Sequence, residues 1–384
     1  MSKKKVLYFM PDNPMDGKGG NLTRCNQMLQ YFQSNSQVLE VHFVSTLYWD
    51  NVSMDKFKLI YPDIILHVFE LRMSKQNIWK YLLEDKIPRK LNGIRNKGVL
   101  DNSTPYLKSK FKEIIQKNRY DIILISYSTW GNIIDYAEDA YKIIDTHDFM
   151  TLQYKTENEK EGYIKVGEIF QEEIDTLSKY DEIWTYSVEE RYIFEQFTNS
   201  NVTLIPVSFP SKRLEPDRNI KYDMLYVASD NRHNIKSIKW FLKFVFPLLN
   251  NVKLYVVGKI CSAIDDAPNI IKLGVVENLE EIYKFSKICI CPMITGTGVK
   301  IKVLESLSYG LPVVTTKRGV DGLVNKSQNG CLITDDPEGF ANYIKQLLSD
   351  QSFYAKISEQ ARLYFEENHN ETQEIKLLNN IFLK

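Results

Sequence analysis

Short apolar runs rich in valine, isoleucine and tyrosine recur along this chain, and helical segments separate them. This alternation is typical of a parallel sheet with helices on both faces, because parallel strands need a long crossover between them. The pattern predicts an α/β protein built from two successive doubly wound halves. The predicted strands are 6–10, 38–44, 121–126, 142–146, 182–187 and 202–207 in the first half, and 224–228, 253–257, 270–273, 288–291, 312–315 and 331–334 in the second.

The length of 384 residues exceeds what one core usually covers, so two domains are expected. Residues 208–219, SFPSKRLEPDRN, are polar, contain two prolines and lack periodicity, which indicates a linker. We therefore expect an N-terminal domain over 1–207, a C-terminal domain over 220–368 and a last helix over 369–384.

The charge, the cysteine content and the length of the apolar runs argue against several classes of protein. The 49 basic and 49 acidic residues cancel, which argues against a nucleic-acid binder. The five cysteines are odd in number and include no Cys-x-x-Cys pair, so neither a disulfide framework nor a zinc site is favoured. No apolar run approaches the ~20 residues of a membrane span, and we expect a cytoplasmic protein.

A loop rich in glycine stands between two predicted strands of the second half. Gly296 and Gly298 come just before a helix predicted over 299–309, so backbone N–H groups and the positive helix end can approach an anion. Lys300 and Lys302 are predicted in the first turn of that helix. Cations there oppose the helix dipole, which is understandable if a phosphate lies between them and the N–H groups.

The string ITGTGVKIKVLESLSYGLPVV resembles the nucleotide-sugar site of retaining glycosyltransferases of family 4, whose signature is a Gly-rich loop, a helix with a glutamate, and Gly-x-Pro-Val-Val. The resemblance implies the GT-B fold, in which two Rossmann-like domains face a central cleft and the last helix crosses back to the N-terminal domain. It also implies that Glu305 holds the ribose hydroxyls of the donor, while the loop and its lysines hold the diphosphate.

The loop departs from the family pattern at one position. Where the family usually has a second glutamate, this chain has Thr297, so the donor sugar must be recognised differently. We predict that Thr297 and the neighbouring backbone N–H groups of Gly298 and Val299 take that part. Transferases with a Gly-Thr-Gly-x-Lys-x-Lys loop share this departure, so it does not imply loss of activity.

The family also places two cations after the first strand of the second domain, where they clamp the donor diphosphate. Arg232 and Lys236 supply those charges here, although Ser229 and Asp230 stand where the family has Gly-Arg. Arg232 is predicted as a phosphate ligand. Lys236 is predicted as a second one, with ordinary surface charge as the alternative.

Two segments of the first half are predicted to face the donor. Gly19 and Gly20 follow the first strand and precede a helix that Asn21 could cap, and the family has a similar loop there. His147 follows the strand predicted at 142–146, with Asp145 and Asp148 able to orient its ring. The alternative is a loop histidine satisfied by its neighbours. The resemblance favours His147 as the side chain that contacts the reacting sugar.

Residues 72–119 form a basic block with aromatic residues between the charges. They hold 13 Lys or Arg against 4 Asp or Glu, and Trp79 and Tyr81 lie among them. Such a segment can lie on an anionic bilayer or meet a lipid diphosphate. The alternative is a solvated helical face that balances the acidic stretch 157–175, which has 7 acidic and 2 basic residues.

The resemblance and these residues together predict a retaining, metal-independent glycosyltransferase that needs no cofactor and takes a nucleoside diphosphate sugar as its donor substrate. Its acceptor would be a glycan or lipid-linked hydroxyl in bacterial surface polysaccharide or glycoconjugate synthesis, at the inner face of the cell membrane. One alternative is a GT-B epimerase acting on a nucleotide sugar. Another is a catalytically silent GT-B subunit that binds a partner transferase, an idea that rests on Thr297.

Overall fold

The chain folds into two compact units, each with its own parallel sheet. The first unit consists of Met1–Tyr186, Glu190–Ile205 and Asn379–Lys384, and the second of Ser187–Glu189 and Pro206–Leu378. The computed structural model describes residues 3–16, 20–95, 101–137, 139–157, 165–212, 214 and 218–384, without the side chains of 92–95 and 157.

The first unit contains a seven-stranded sheet in the order β3-β2-β1-β4-β5-β6-β7. Its central strands are buried on both faces, as in β4, where all five residues are buried, and this explains their continuous apolar sequence. The strands are β1 Lys4–Phe9, β2 Leu39–Ser45, β3 Ile64–Val68, β4 Ile122–Ser126, β5 Tyr141–Asp145, β6 Glu182–Thr185 and β7 Asn201–Leu204.

The second unit contains a six-stranded sheet in the order β10-β9-β8-β11-β12-β13. The order reverses between β8 and β11, which are paired in parallel with Cys289 opposite Leu225. The strands are β8 Tyr222–Val227, β9 Leu254–Val257, β10 Ile270–Gly274, β11 Ser286–Cys291, β12 Val313–Thr315 and β13 Cys331–Ile333.

Helices cover both sheets in the described part of the chain. A π-helical turn, Leu82–Lys86, joins α3 to α4 without a break. The α-helices are α1 Gly20–Ser34, α2 Asn51–Ile60, α3 Ile78–Tyr81, α4 Ile87–Arg95, α5 Pro105–Lys117, α6 Met150–Glu157, α7 Val166–Leu177, α8 Val188–Phe197, α9 Arg232–Phe244, α10 Leu279–Lys284, α11 Ile301–Ser308, α12 Pro337–Ser349, α13 Gln351–Asn368 and α14 Glu371–Phe382.

The two doubly wound halves are confirmed, and each predicted strand is present with its ends within three residues of the prediction. One strand was not predicted, namely β3. It lies at the edge of the first sheet, where most of its side chains are only half-buried, so its apolar signal was weaker than that of the central strands. The turn at Pro62 and Asp63 before its IILHV run was a signal that could have identified it.

The end of the chain belongs to the first unit. Phe382 on α14 is fully buried there, and its ring packs edge-on against that of Phe32 at 5.0 Å between centroids. The hydroxyl of Tyr31 donates to Oδ1 of Asn379 at 3.0 Å. Among the helices in the described ranges, none combines the length and apolar character that crossing a bilayer requires.

Candidate functional site

The reversal of strand order in the second sheet defines where a ligand can bind. Ligands of doubly wound sheets bind beyond the carboxyl ends of the strands, at the point where the order reverses. Here that point lies between β8 and β11. The chain leaving β8 enters α9 at Arg232, and the chain leaving β11 enters α11 at Ile301. Two helix N-termini, which favour anions, therefore follow the two strands that flank this point.

The glycine loop between β11 and α11 has the unusual backbone that its sequence predicts. Gly296 and Gly298 have φ values of 98° and 71°, in the left-handed region that favours glycine. The helix begins at Ile301, two residues later than predicted, so Lys300 precedes its first turn. Lys300 is buried, and its Nζ donates to the carbonyl oxygens of Thr297 at 3.0 Å and Gly298 at 2.6 Å. Lys300 thus holds the loop in shape, and its contact with a phosphate stays a prediction.

Lys302 is a largely buried cation on α11. Its Nζ donates to Oδ1 of Asn234 at 2.8 Å and lies 5.0 Å from the ring centroid of Tyr226. Burial lowers the pKa of Lys302, because the ammonium loses solvation. An ammonium has three N–H donors, so the bond to Asn234 leaves it able to donate to a phosphate as well.

Asn234 connects the two helix N-termini. Its backbone N–H donates to Oδ1 of Asn231, the cap of α9, at 2.9 Å, and its side-chain nitrogen donates to the carbonyl of Ser229 at 3.0 Å. Its Oδ1 accepts from Lys302 on α11. The amide thereby fixes the lysine ammonium beside the start of α9.

Glu305 lies one turn after Lys302 on α11. Its Oε2 accepts a hydrogen bond from the hydroxyl of Tyr283 on α10 at 2.9 Å. The Tyr283 ring stacks on that of Tyr309, with 5.3 Å between centroids and 18° between planes. Burial raises the pKa of Glu305, while the Tyr283 bond acts in the opposite direction. A carboxylate held through one oxygen can accept from a pair of hydroxyls, as the predicted ribose contact requires.

The first turn of α9 also touches the glycine loop. Nδ1 of His233 lies 3.1 Å from the hydroxyl of Thr295, and a Cβ placed on Gly296 would lie 3.4 Å from the His233 ring. Nε of Arg232 lies 3.4 Å from Nε2 of the same histidine, so Arg232 stands next to the loop. Lys236 lies one turn further along α9 and is exposed.

Thr297 and Val299 have different surroundings within the loop. Thr297 is half-buried, and its carbonyl is engaged by Lys300. Val299 packs closely against the backbone of Gly322, where an added Cβ would lie 2.5 Å from Cγ2 of the valine. Gly322 is therefore required by packing against the loop.

His147 occupies a strained position at the end of β5 in the first unit. It has a φ of 57°, and the N–H of Asp148 donates to the carbonyl of Thr146 at 2.6 Å across it, which closes a three-residue turn. Its ring stacks on Tyr127 at 4.3 Å between centroids. Among the described residues, Nε2 of His147 has no hydrogen-bond partner although it is buried. Strain and orphaned atoms of this kind are frequent at functional sites, and the contact of His147 with a sugar stays a prediction.

Asp145 does not hold His147 by a hydrogen bond. Its Oδ2 is 3.7 Å from Nε2 of His147, beyond hydrogen-bond length, and instead accepts from the hydroxyl of Tyr186 at 2.6 Å. That hydroxyl accepts in turn from Nε of the buried Arg24 at 3.0 Å. Burial lowers the pKa of His147, so its ring is neutral at neutral pH and able to bond a sugar hydroxyl.

The loop after β1 is only partly described. Gly19 lies outside the described residues. Gly20 is the exposed first residue of α1, with open space where a side chain would stand. Asn21 lies inside α1 and therefore does not cap it as predicted; its side chain donates to Oδ2 of Asp12 at 3.1 Å.

Sequence reasoning missed four polar side chains that support the predicted ones, namely Arg24, Tyr186, Asn234 as a partner of Lys302, and Tyr283. A signal existed for Arg24, which stands on a helix face with Cys25, Met28 and Leu29. Within the described ranges, no group of three or more His, Cys, Asp or Glu side chains is arranged to hold a metal ion.

Residues 221–350, which lie in the second unit, match the family model described as "Glycosyl transferases group 1". A Klebsiella pneumoniae protein described as "Uncharacterized 44.6 kDa protein in cps region" is 25% identical over 294 residues, which is 68% of this chain and 74% of that protein.

Solved structures share the architecture of the whole chain. Sucrose-phosphate synthase from Thermosynechococcus elongatus superimposes with a TM-score of 0.68 at 14% identity, covering 99% of this chain and 98% of that one. Anabaena HepE in complex with UDP-glucose has a TM-score of 0.63 at 13% identity, covering 98% of both chains. A variant of S. aureus TarM with Fondaparinux, alpha-GlcNAc-glycerol and UDP has a TM-score of 0.65 at 12% identity, covering 99% and 100%. These likenesses, together with the two parallel sheets, confirm the predicted GT-B fold.

Proposed function

We propose that this protein is a glycosyltransferase that moves a sugar from a nucleoside diphosphate donor to a hydroxyl of a glycan or lipid-linked acceptor. The observation that carries the proposal is the pair of supported side chains on α11. Lys302 is fixed by Asn234, and Glu305 is held by Tyr283. Both lie where the strand order of the second sheet reverses, within the region that matches the group 1 transferases.

The diphosphate of the donor would bind at the N-termini of α9 and α11. Lys302 and Arg232 would contact its oxygens, with the N–H groups of Gly298 and Val299 beside them. The exposed Lys236 would add only a weak attraction, because solvent screens its charge. When the glycosidic bond breaks, negative charge gathers on the departing diphosphate. Cations and dipoles that are already in place stabilise this charge without reorganising, which is usually the largest catalytic contribution.

The nucleoside end of the donor would be held by Glu305. Ribose hydroxyls donate hydrogen bonds, and the carboxylate accepts them. The structures of HepE and TarM contain UDP-glucose and UDP, and they support a nucleoside diphosphate as the ligand class.

The sugar end of the donor involves Thr297 and His147 in this proposal. The hydroxyl of Thr297 and the neutral ring of His147 would each bond a sugar hydroxyl. The strained backbone of His147 at the end of β5 supports its part in this contact, since such strain clusters at functional sites. We further propose transfer with retention and without a metal, the leaving phosphate taking the proton of the acceptor hydroxyl.

The biological role proposed for the protein is synthesis of a bacterial surface polysaccharide or glycoconjugate, in the cytoplasm or at the inner face of the cell membrane. The name of the Klebsiella pneumoniae relative, which places it in a cps region, agrees with this role. The epimerase and silent-subunit alternatives differ from a transferase in whether they consume the donor and whether they need an acceptor. An epimerase consumes the donor without an acceptor, and a silent subunit does not consume it.

A ligand screen tests the proposal. Melting temperature is measured with each nucleoside diphosphate and nucleotide sugar, and calorimetry then gives the affinity for the best ligand. We expect Glu305→Ala to weaken binding and the control Glu281→Ala, an exposed residue of α10, to leave it unchanged. Unchanged affinity of Glu305→Ala would refute the site. If no ligand raises the melting temperature, the result would favour the catalytically silent subunit.

A further inference from the structure

The helical segment formed by α3, the π turn and α4 carries an apolar face that no described residue covers. Trp79, Leu83, Ile87 and Leu91 are 73%, 65%, 43% and 53% exposed. Large apolar side chains exposed singly are common, but a contiguous row of them marks an interaction surface. We refer to these four residues as the apolar stripe.

The four residues share one face because of the local helix geometry. A spacing of four places successive side chains on a slowly drifting face of an α-helix. The π turn advances each residue through a smaller angle than an α turn and so offsets part of that drift. In the π turn the N–H of Ile87 donates to the carbonyl of Leu82. Pro88, which lacks an N–H and would clash with the carbonyl of Glu84, gives a physical reason for the wider turn.

The opposite face of the segment is anchored to the first unit. Asp85 is fully buried; its Oδ2 accepts the N–H of Met73 at 2.9 Å, and its Oδ1 lies 2.6 Å from Nε of Arg89. A residue two positions away in a helix points to the other side. The buried Asp85 therefore directs Leu83 and Ile87 outward.

Cations flank the apolar stripe. Lys86 and Lys90 are exposed and each directly precedes a residue of the stripe. Residues 72–91 contain six Lys or Arg against two acidic residues. Both acids are engaged, Asp85 by Arg89 and Glu84 by Lys80 at 3.9 Å.

We propose that the apolar stripe is a membrane-docking face, which inserts Trp79 and Leu83 into the headgroup region of an anionic phospholipid bilayer. Lys86 and Lys90 would bind the lipid phosphates. An apolar face with cations beside it and an amphipathic tryptophan is the arrangement expected at that interface. Because the exposed charges of Lys86 and Lys90 are positive, the partner that fits them is anionic lipid. The membrane contact predicted for residues 72–119 is thereby assigned to the face that carries the apolar stripe. Arg89 takes no part, since it pairs with Asp85.

Co-sedimentation with vesicles tests this proposal on the full chain. Wild-type protein should bind phosphatidylcholine vesicles containing phosphatidylglycerol more tightly than vesicles of phosphatidylcholine alone. The double variant Trp79→Ser/Leu83→Ser should bind at least about tenfold more weakly. Lys86→Gln and Lys90→Gln should each weaken binding about fivefold, and only to anionic vesicles.

The matched control is Leu59→Ser, because Leu59 is 83% exposed on α2 of the same unit and should not affect binding. Equal binding by wild type and the double variant, or equal binding to both kinds of vesicle, would overturn the proposal. A wild-type dimer that the double variant converts to monomer in light scattering would instead assign the stripe to a second copy of the chain. Donor affinity should be unchanged in all these variants, so the result is independent of the proposed transferase activity.

Discussion

Replacing Tyr283 with phenylalanine removes one hydrogen bond from the candidate site and little else. The hydroxyl donates to Oε2 of Glu305 at 2.9 Å, while the ring stacks on Tyr309. Phenylalanine keeps the stacked ring and its volume. The substitution therefore deprives a partly buried carboxylate of its donor and tests whether Glu305 is held in place by Tyr283.

The size of the effect follows from the charge of the acceptor. A hydrogen bond to a charged group contributes about 1.5 to 3 kcal/mol, and we expect the lower end because Glu305 keeps some contact with solvent. Burial raises the pKa of Glu305 above its ordinary value of 4.5, so the folded state holds the proton more tightly than the unfolded state. Ionisation consequently destabilises the fold as the pH rises through the folded-state pKa. Tyr283 limits this loss by favouring the ionised form.

The assay is urea unfolding at pH 4.5 and pH 8. Tyr283→Phe should lower the free energy of unfolding by about 1.5 kcal/mol at pH 8 and by less at pH 4.5, where the raised pKa keeps more than half of the Glu305 carboxyls protonated in the fold. The control Tyr309→Phe should show no such dependence on pH, since no hydrogen bond from Tyr309 to Glu305 is described. Calorimetry at pH 8 should show weaker donor binding for Tyr283→Phe only.

A double-mutant cycle with Glu305→Gln completes the test. The glutamine side chain carries no charge, so the loss caused by Tyr283→Phe should shrink in that background. The assignment of this hydrogen bond to an ionised carboxylate would be refuted if Tyr283→Phe lowered the free energy of unfolding equally at both pH values. It would also be refuted if the full decrease persisted in the Glu305→Gln background.

Further substitutions test the other parts of the structure. Lys302→Met should weaken donor binding about 10- to 150-fold, the loss of a charge-assisted hydrogen bond, while Lys236→Met should change it little; calorimetry on both variants distinguishes the half-buried cation from the exposed one. His147→Gln should lower turnover in protein that remains folded at pH 8. The lowered pKa of His147 means that the unfolded state protonates first, so stability should be lost as the pH falls below 6.5, and part of this loss should disappear in the variant. Phe382→Ala should destabilise the first unit by about 3 to 5 kcal/mol, since its ring is fully buried. If urea unfolding showed a decrease in the free energy of unfolding of less than about 1 kcal/mol, roughly the range of a surface substitution, the role of the C-terminal residues in that core would be contradicted.

Much of the fold could be predicted because its signals are local. A strand buried on both faces has a continuous apolar sequence, which is why β4 and β11 were predicted close to their observed ends. Edge strand β3 was missed because an edge buries less apolar surface. The start of α11 was placed two residues early because Lys300 is a good helix former, and only its contacts with the loop carbonyls show that it precedes the helix.

The candidate site was predicted less completely than the fold. The glycine loop, Lys302 and Glu305 could be predicted as one site because they are close together in the sequence. Their partners are not, since Asn234 lies 68 residues from Lys302 and Tyr283 lies 22 residues from Glu305. No periodicity connects residues at such separations.

The sequence by itself determined the two doubly wound halves and the glycine loop that precedes α11, because apolar patterning and backbone permissiveness act over a few residues. The tertiary structure decided which partner each charged side chain finds. By pairing β8 with β11 it placed Asn234 beside Lys302, and by burying Asp85 it engaged Arg89 in an ion pair and turned the apolar stripe outward. Those outcomes depend on strand order and burial, which bring together residues that are distant along the chain.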